Sequence, residues 1–190
     1  MKFNDYFPTA FVINLDSRTD RMEQFHRQAI TFDIQYERLP AVKLDNPIDG
    51  CKASHLLALT KTDADVVFVF EDDASFVKGF YSQLQIAMEN LPEDWDMVYL
   101  GANLVDTQKV NDYWHKSKRC CSTHAYAVKK EAIPKLIESA NNYDGHIDMA
   151  YSLVHPQLNV YLARPTLVYQ AAGHSDIQGE SVDYLHLYFW

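Results

Sequence analysis

Cysteine is scarce in this chain of 190 residues, and the spacing of its cysteines excludes two kinds of protein. Cys51 stands alone and Cys120 and Cys121 are adjacent, which suits neither a disulfide framework nor a structural zinc site. No apolar run approaches the roughly 20 residues that a transmembrane helix needs. The first residues lack the apolar segment of a secretory signal, so we expect a cytoplasmic protein without a transmembrane segment.

Basic residues are also in the minority, with 17 Lys and Arg against 26 Asp and Glu and a net charge of -9. A negative field discourages non-specific binding to nucleic acid or to anionic lipid, so no nucleic-acid partner is predicted. An acidic protein still binds phosphorylated ligands when a divalent cation mediates the contact. The charge therefore favours small-molecule partners over polyanions.

The sequence has no repeat and no Gly-, Ser- or Pro-rich linker, so we expect residues 1–190 to form a single domain. Short apolar runs alternate with longer amphipathic ones in the order βαβαβ. The run 66–70 (VVFVF) has no polar alternation, which is typical of a central strand covered on both faces. The pattern predicts an α/β fold, a doubly wound sheet that binds ligands at the carboxyl ends of its strands.

Three consecutive acids, Glu71, Asp72 and Asp73, follow this apolar run directly. In extended geometry Glu71 and Asp73 point the same way and Asp72 points opposite. Two hard oxygen ligands at the carboxyl edge of a sheet suit Mg²⁺ or Mn²⁺, with phosphate oxygens filling other positions. The alternative is a solvated acidic turn, but the strand in front of it favours a metal site.

Two basic segments are candidates for binding an anion. Residues 14–21 (NLDSRTDR) join the first strand to the first helix, whose free N–H groups could act together with Arg18 and Arg21. The alternative is an ordinary capped helix with arginines in surface pairs. Lys52 and His55 lie three residues apart on one helix face. They either face a cleft, where they could bind pyrophosphate or a sugar hydroxyl, or they face solvent.

Two later positions are candidates for catalysis and metal binding. Asp148 lies in the first turn of a predicted helix, where it is either a favourable dipole contact or a general base held at a fixed helix end. A lone histidine is more often structural than a ligand. His174 differs because a glycine precedes it, Asp176 follows two residues later, and the segment is too polar for a core.

Together these segments resemble the family 25 glycosyltransferases, which include lipopolysaccharide-modifying transferases and collagen galactosyltransferases. The resemblance spans most of the chain and keeps the order of the motifs. The motifs are 11–21 (FVINLDSRTDR), 50–55 (GCKASH), 69–73 (VFEDD), 95–101 (WDMVYLG), 123–126 (THAY), 147–148 (ID) and 175–177 (SDI).

The family implies a GT-A-type fold, a single domain with a mixed, mostly parallel sheet flanked by helices. It binds a nucleotide-sugar, usually a UDP-sugar, and usually with Mn²⁺. The resemblance implies that Asp73 is the metal-binding acid and that Glu71 lies near the ribose or a metal-bound water. It also makes Asn14, Arg18 and Arg21 the nucleotide-facing turn.

By analogy with this fold, Asp148 is the base of an inverting enzyme and His174 is a late metal ligand, while Lys52 and His55 belong to the donor site. One departure is that Ser122 stands where relatives often carry a glycine. The implied function is metal-dependent transfer of a hexose, galactose or glucose, from a UDP-sugar to a hydroxyl of a glycan or other acceptor, with inversion.

Two other functions remain open at this point. One is a non-catalytic, degenerate domain that only binds a nucleotide-sugar or carbohydrate. The other is a metal-dependent phosphoryl-transfer or hydrolytic enzyme, which also fits an acidic strand end but leaves the resemblance of residues 14–21 unexplained.

Overall fold

The structure, a computed structural model, describes residues 1–184 and residue 186. Its strands are β1 (Thr9–Asn14), β2 (Glu37–Pro40), β3 (Val66–Glu71), β4 (Ala74–Phe76), β5 (Met97–Lys109), β6 (Trp114–Lys129), β7 (Val160–Ala163), β8 (Val168–Gln170), β9 (Gly173–Ser175) and β10 (Glu180–Val182). Its α-helices are α1 (Phe3–Tyr6), α2 (Thr19–Thr31), α3 (Pro47–Thr60), α4 (Phe80–Glu89), α5 (Ile133–Asn142) and α6 (Ile147–Val154). Within this part of the chain, no helix is long and apolar enough to cross a membrane.

The main sheet has the strand order β2-β1-β3-β6-β5-β7. β1 is parallel to β2 and β3, and β5 is parallel to β7. β6 runs antiparallel to β3 and β5, so five strands share one direction and β6 opposes them. The predicted mixed, mostly parallel α/β sheet is confirmed.

The apolar run of β3 packs on both faces of the sheet. Val67 and Val69 belong to the hydrophobic cluster on one side, and Phe68 and Phe70 belong to the cluster on the other side. All four are fully buried. Because alternate side chains of a strand point to opposite faces, an unbroken apolar run fills both layers and sends the strand through the centre of the molecule. The acids that follow it emerge at the edge of the sheet.

β5 and β6 are much longer than the sequence indicates. The pattern predicts strands only at 96–101 and 122–128, whereas the structure has an antiparallel ribbon from Met97 to Lys129, with irregular register beyond Tyr99. Polar residues in the outer half of the ribbon hide the strand period. The pairing of β6 with β3 and β5 places the segments around residues 103 and 122 at the carboxyl edge of β3.

Two local expectations are wrong. The pattern predicts a helix from Ser17 to about Ile30 with Ser17 as its N-cap, whereas α2 begins at Thr19 and Arg18 occupies the N-cap without a side-chain capping bond. The apolar residues at 160–163 and 167–169 predict a terminal pair of strands around Pro165, but β7 joins the main sheet and β8 pairs with β4. β8 instead lies beside the acidic turn, because β4 follows that turn directly.

Candidate functional site

A cavity of about 330 Å³ lies at the carboxyl ends of β1, β2 and β3. The starts of α3 and α6, the inner part of the β5–β6 ribbon and the segment from 170 to 184 complete its walls. This is the edge of a doubly wound sheet at which ligands bind. Of the residues selected from the sequence, Asn14, Arg21, His55, Glu71, Asp73 and Asp148 line the cavity.

Asp72 and Asp73 share one arginine. Arg21 Nη1 donates to Asp72 Oδ1 at 3.0 Å and to Asp73 Oδ2 at 3.2 Å. Asp72 also accepts from Asn14 Nδ2 at 2.7 Å, which fixes this buried carboxylate against the end of β1. Arg21 therefore supplies the positive charge that keeps two adjacent acids together.

One carboxylate oxygen of Asp73 is buried without a hydrogen-bond partner among the described residues. Its Oδ1 is buried and accepts no hydrogen bond of normal geometry, although the Gln170 amide lies close enough to favour the charged form. Burial raises the pKa of Asp73 to about 7, and repulsion from Glu71 adds to this while Arg21 opposes it. A buried carboxylate oxygen short of donors fits one ligand position of a divalent cation.

The described residues hold no group of three His, Cys, Asp or Glu side chains that could bind a metal ion by themselves. Oxygens from substrate or water would therefore have to complete the coordination of a cation at Asp73. The His174 ring, the other predicted metal ligand, is exposed and does not line the cavity.

Glu71 contacts the side chain of a buried histidine, His55. Its Oε1 accepts from Thr123 Oγ1 at 2.8 Å and lies 3.3 Å from His55 Nε2. His55 is fully buried, and its Nδ1 lies 3.1 Å from the Tyr126 hydroxyl. Burial opposes ionisation of Glu71, but the contacts with His55, His124 and Thr123 outweigh it and hold the pKa of Glu71 below its ordinary value.

Arg18 and Arg21, at the start of α2, donate hydrogen bonds to the hairpin formed by β9 and β10. Arg21 Nη2 donates to the His174 carbonyl oxygen at 2.6 Å. Arg18 Nη1 donates to the same oxygen at 3.3 Å and to Asp176 Oδ2 at 2.7 Å. The backbone of His174, rather than its imidazole, is thus the part that meets the site.

Lys52 and His55 do not act on a common ligand surface in this structure. Lys52 Nζ donates to the carbonyl oxygen of Tyr143 and does not line the cavity. His55 lies on the cavity side, where it supports Glu71. The i, i+3 spacing predicts a shared face of α3, but Lys52 contacts the loop after α5 whereas His55 contacts Glu71.

Asp148 is clamped at the start of α6 by backbone donors. Its Oδ2 accepts from the Ser122 N–H at 2.9 Å and its Oδ1 from the Met149 N–H at 2.7 Å. Ser122 has a φ of 76°, in the left-handed region that favours glycine. The serine therefore adopts the backbone conformation that the missing glycine would take, and this conformation aims its N–H at Asp148.

Asn103 and Ser122 are cavity residues that sequence reasoning missed as functional positions. Asn103 lies among the apolar residues of β5 with no recognisable motif, and only the pairing of β5 and β3 with β6 brings it to the site. Thr123 belongs to the motif 123–126 (THAY), so its position was visible in the sequence. Its contact with Glu71 depends on the pairing of β3 with β6.

No protein-family model and no curated protein sequence matches the chain. Solved structures with the same fold include protein A197 from STIV, with 13% identity, 92% coverage of both chains and a TM-score of 0.54. They also include Drosophila β1,4-galactosyltransferase 7 in complex with manganese, UDP-Gal and xylobiose, with 12% identity, 92% of this chain and 75% of that chain covered, and a TM-score of 0.52. UDP-glucose pyrophosphorylase in complex with UDP-glucose has 9% identity, coverages of 86% and 74%, and a TM-score of 0.51.

These similarities define the class of fold. The chain has a GT-A-like α/β fold, of the kind found in glycosyltransferases and in nucleotidyltransferases that use nucleotide-sugars. At such low identity, the likeness does not extend to substrate or activity.

Proposed function

We propose that this chain is a metal-dependent glycosyltransferase that moves a hexose, galactose or glucose, from a UDP-sugar to a hydroxyl of a glycan or other acceptor, with inversion. The observation that carries the proposal is the composition of one cavity. It combines a buried acidic cluster with an arginine at the end of β3 and a second carboxylate, Asp148, fixed at a helix start. The resemblance to family 25 glycosyltransferases and the complexes of the structural neighbours with UDP-sugars support it.

The acidic side of the cavity would hold the diphosphate end of the donor. Asp73 would bind a divalent cation through Oδ1, and such a cation neutralises charge on the departing diphosphate. Arg21 lies beside Asp73 and offers N–H donors that match phosphate oxygens. Glu71, fixed through Oε1 by His55 and Thr123, keeps its second oxygen for a ligand hydroxyl.

Asp148 would act as the general base. The acceptor hydroxyl attacks the anomeric carbon, its proton passes to a carboxylate oxygen of Asp148, and the bond from the anomeric carbon to the diphosphate breaks. Attack from the face opposite the leaving group gives inversion. The two backbone N–H groups orient the Asp148 carboxylate and still leave each oxygen a second lone pair.

Binding of the donor tests the proposal without knowledge of the acceptor. A panel of UDP-sugars is titrated into the purified chain with and without Mn²⁺ and followed by thermal shift. A ligand at 100 times its Kd raises stability by about 2.7 kcal/mol. We expect a shift that needs both ligands and that is lost in Asp73→Asn; absence of a shift with every UDP-sugar would contradict the proposal.

A non-catalytic nucleotide-sugar-binding domain is the second candidate. It is favoured by Arg21, which already forms ion pairs with both Asp72 and Asp73, and by the lack of a three-residue metal cluster in the described part of the chain. Release of UDP from a bound UDP-sugar, measured with a broad mixture of glycan acceptors, separates the two. Binding without turnover across such a mixture would support the binding domain.

A further inference from the structure

Asn103 lines the cavity and carries an unpaired polar atom. Its Nδ2 donates to Ser122 Oγ at 3.0 Å. Its Oδ1 is buried and accepts no hydrogen bond from any residue that the structure describes. An unpaired buried acceptor costs about 1–3 kcal/mol, so an unpaired amide in a residue that lines a cavity indicates a position that a ligand completes.

The surroundings of Asn103 differ in charge from those of Asp73. Near Asn103 the polar groups are the Ser122 hydroxyl and the Asp148 carboxylate, with Thr123 one residue further along β6. The guanidinium of Arg21 is tied to Asp72 and Asp73 at the end of β3. The cavity thus has one part where Arg21 lies among three carboxylates, suited to phosphates that bind together with a divalent cation, and one part with an amide, a hydroxyl and a carboxylate, suited to neutral hydroxyl groups.

The amide of Asn103 is also held in place. The register of β5 against β6 shifts between Gly101 and Asn103, which turns the strand at this point. Gly101 is pressed against β8, since a Cβ there would lie 1.6 Å from the Val168 carbonyl oxygen. The hydrogen bond to the Ser122 hydroxyl also fixes the Asn103 side chain. Binding of a ligand to the amide therefore costs little further side-chain entropy.

We propose that Asn103 recognises a hydroxyl group on the hexose ring of the bound nucleotide-sugar and determines which hexose is accepted. A hydroxyl both donates and accepts, so it matches the amide whichever of its two atoms faces the cavity. This inference rests on the proposed function, because the diphosphate has to occupy the Arg21 side for the hexose to reach Asn103.

Isothermal titration calorimetry with UDP, UDP-galactose and UDP-glucose, each with Mn²⁺, tests the inference. The wild-type chain should bind one of the two UDP-sugars more tightly than UDP. Asn103→Ala should weaken that UDP-sugar about 5- to 10-fold, as expected for one lost hydrogen bond, and leave the Kd of UDP unchanged. Asn141→Ala, an exposed asparagine on α5, is the matched control and should change neither.

Two further variants separate recognition from packing. Ser122→Ala removes the partner of Asn103 but keeps its amide, so it should retain most of the preference for the UDP-sugar. Asn103→Ser serves if Asn103→Ala does not fold, since it keeps a polar side chain that is too short to reach the hexose. It should show the same selective weakening.

The outcomes distinguish this inference from the proposed function. Suppose that wild type binds UDP-sugars but the Asn103 variants raise the Kd of UDP and of the UDP-sugar equally, or change neither Kd. The role inferred for Asn103 is then wrong, and the proposed function stands. The same holds if wild type binds UDP and both UDP-sugars with equal affinity. If wild type binds none of the three, the proposed function fails and the inference fails with it.

Discussion

Replacing Asp73 with asparagine should stabilise the protein at neutral and alkaline pH while it abolishes metal-dependent activity. The Asp73 carboxyl is buried beside Glu71 and Asp72, and burial together with repulsion raises its pKa from 3.8 to about 7. Asparagine has nearly the same shape and no charge. The substitution therefore removes a buried charge that the fold tolerates poorly.

The direction of the pH dependence of stability follows from proton binding to Asp73. Between pH 4 and pH 7 the folded state keeps the proton on Asp73 whereas the unfolded chain, with a pKa of 3.8, releases it. The wild type consequently loses stability as pH rises through this window. The difference between 3.8 and about 7 corresponds to an upper limit of about 4 kcal/mol above pH 7, at 1.36 kcal/mol per unit.

We expect roughly half of that limit, because Arg21 and solvent rearrange around the charge. For a chain of this size it corresponds to a rise in Tm of about 4–8 °C at pH 8. Differential scanning calorimetry of wild type and Asp73→Asn from pH 4 to pH 8, without divalent metal, measures this difference in Tm. The plots of Tm against pH for the two proteins should converge near pH 4. Asp45→Asn, an exposed acid near the start of α3, should show no such difference.

A Tm of Asp73→Asn that is equal to or below the wild-type value at pH 8 would refute the reasoning, since it would mean that Arg21 fully compensates the Asp73 charge. Addition of Mn²⁺ at pH 8 should reverse the order. The cation would stabilise the wild type through Asp73 Oδ1 and leave the variant unchanged.

Three other substitutions test separate parts of the structure. Asp148→Asn should lower kcat by about 10²- to 10⁴-fold with little change in donor Kd; a collapse of donor binding would make Asp148 a binding group instead. Gly101→Ala should lower the free energy of unfolding by about 3 kcal/mol or more, because the new Cβ would lie 1.6 Å from the backbone of β8. Gly173→Ala is the control: a Cβ there has no heavy atom within 4 Å, so Tm should stay nearly unchanged. Arg18→Ala should speed amide hydrogen exchange in residues 173–178 with a Tm change below about 2 °C, since partly exposed ion pairs contribute little; Arg27→Ala, in an exposed pair on α2, should not alter that exchange.

Much of the fold was predictable because its signals are local. The unbroken apolar run of β3 predicts a central strand, and α3 begins where Asn46 and Pro47 indicate it, with the Asn46 side chain capping the N–H of Ile48. The length of β5 and β6 was not predictable. Their outer halves pair only with each other and with β7, so partly exposed polar residues replace the apolar period.

The site was predictable where one segment carries the chemistry, and unpredictable where two segments must meet. The acidic turn after β3 is visible in sequence as a candidate metal site. That Arg21 spans Asp72 and Asp73, or that His55 lies behind Glu71, depends on how α2 and α3 pack on the sheet. Lys52 shows the limit of helical spacing, because its partner is the carbonyl oxygen of Tyr143, 91 residues away in the chain.

Three departures from local structural rules meet in the cavity. Asp73 and Asn103 each bury an oxygen that accepts no normal hydrogen bond from the described residues, and Ser122 holds a left-handed backbone conformation without glycine. Unpaired buried atoms also occur elsewhere, as at the Tyr6 hydroxyl. Each departure lowers the stability of the ligand-free protein, and a bound diphosphate, cation and hexose would supply the missing partners of Asp73 and Asn103. Because such costs concentrate where a fold serves binding rather than its own stability, their coincidence at the end of β3 supports this cavity as the functional site independently of any resemblance in sequence.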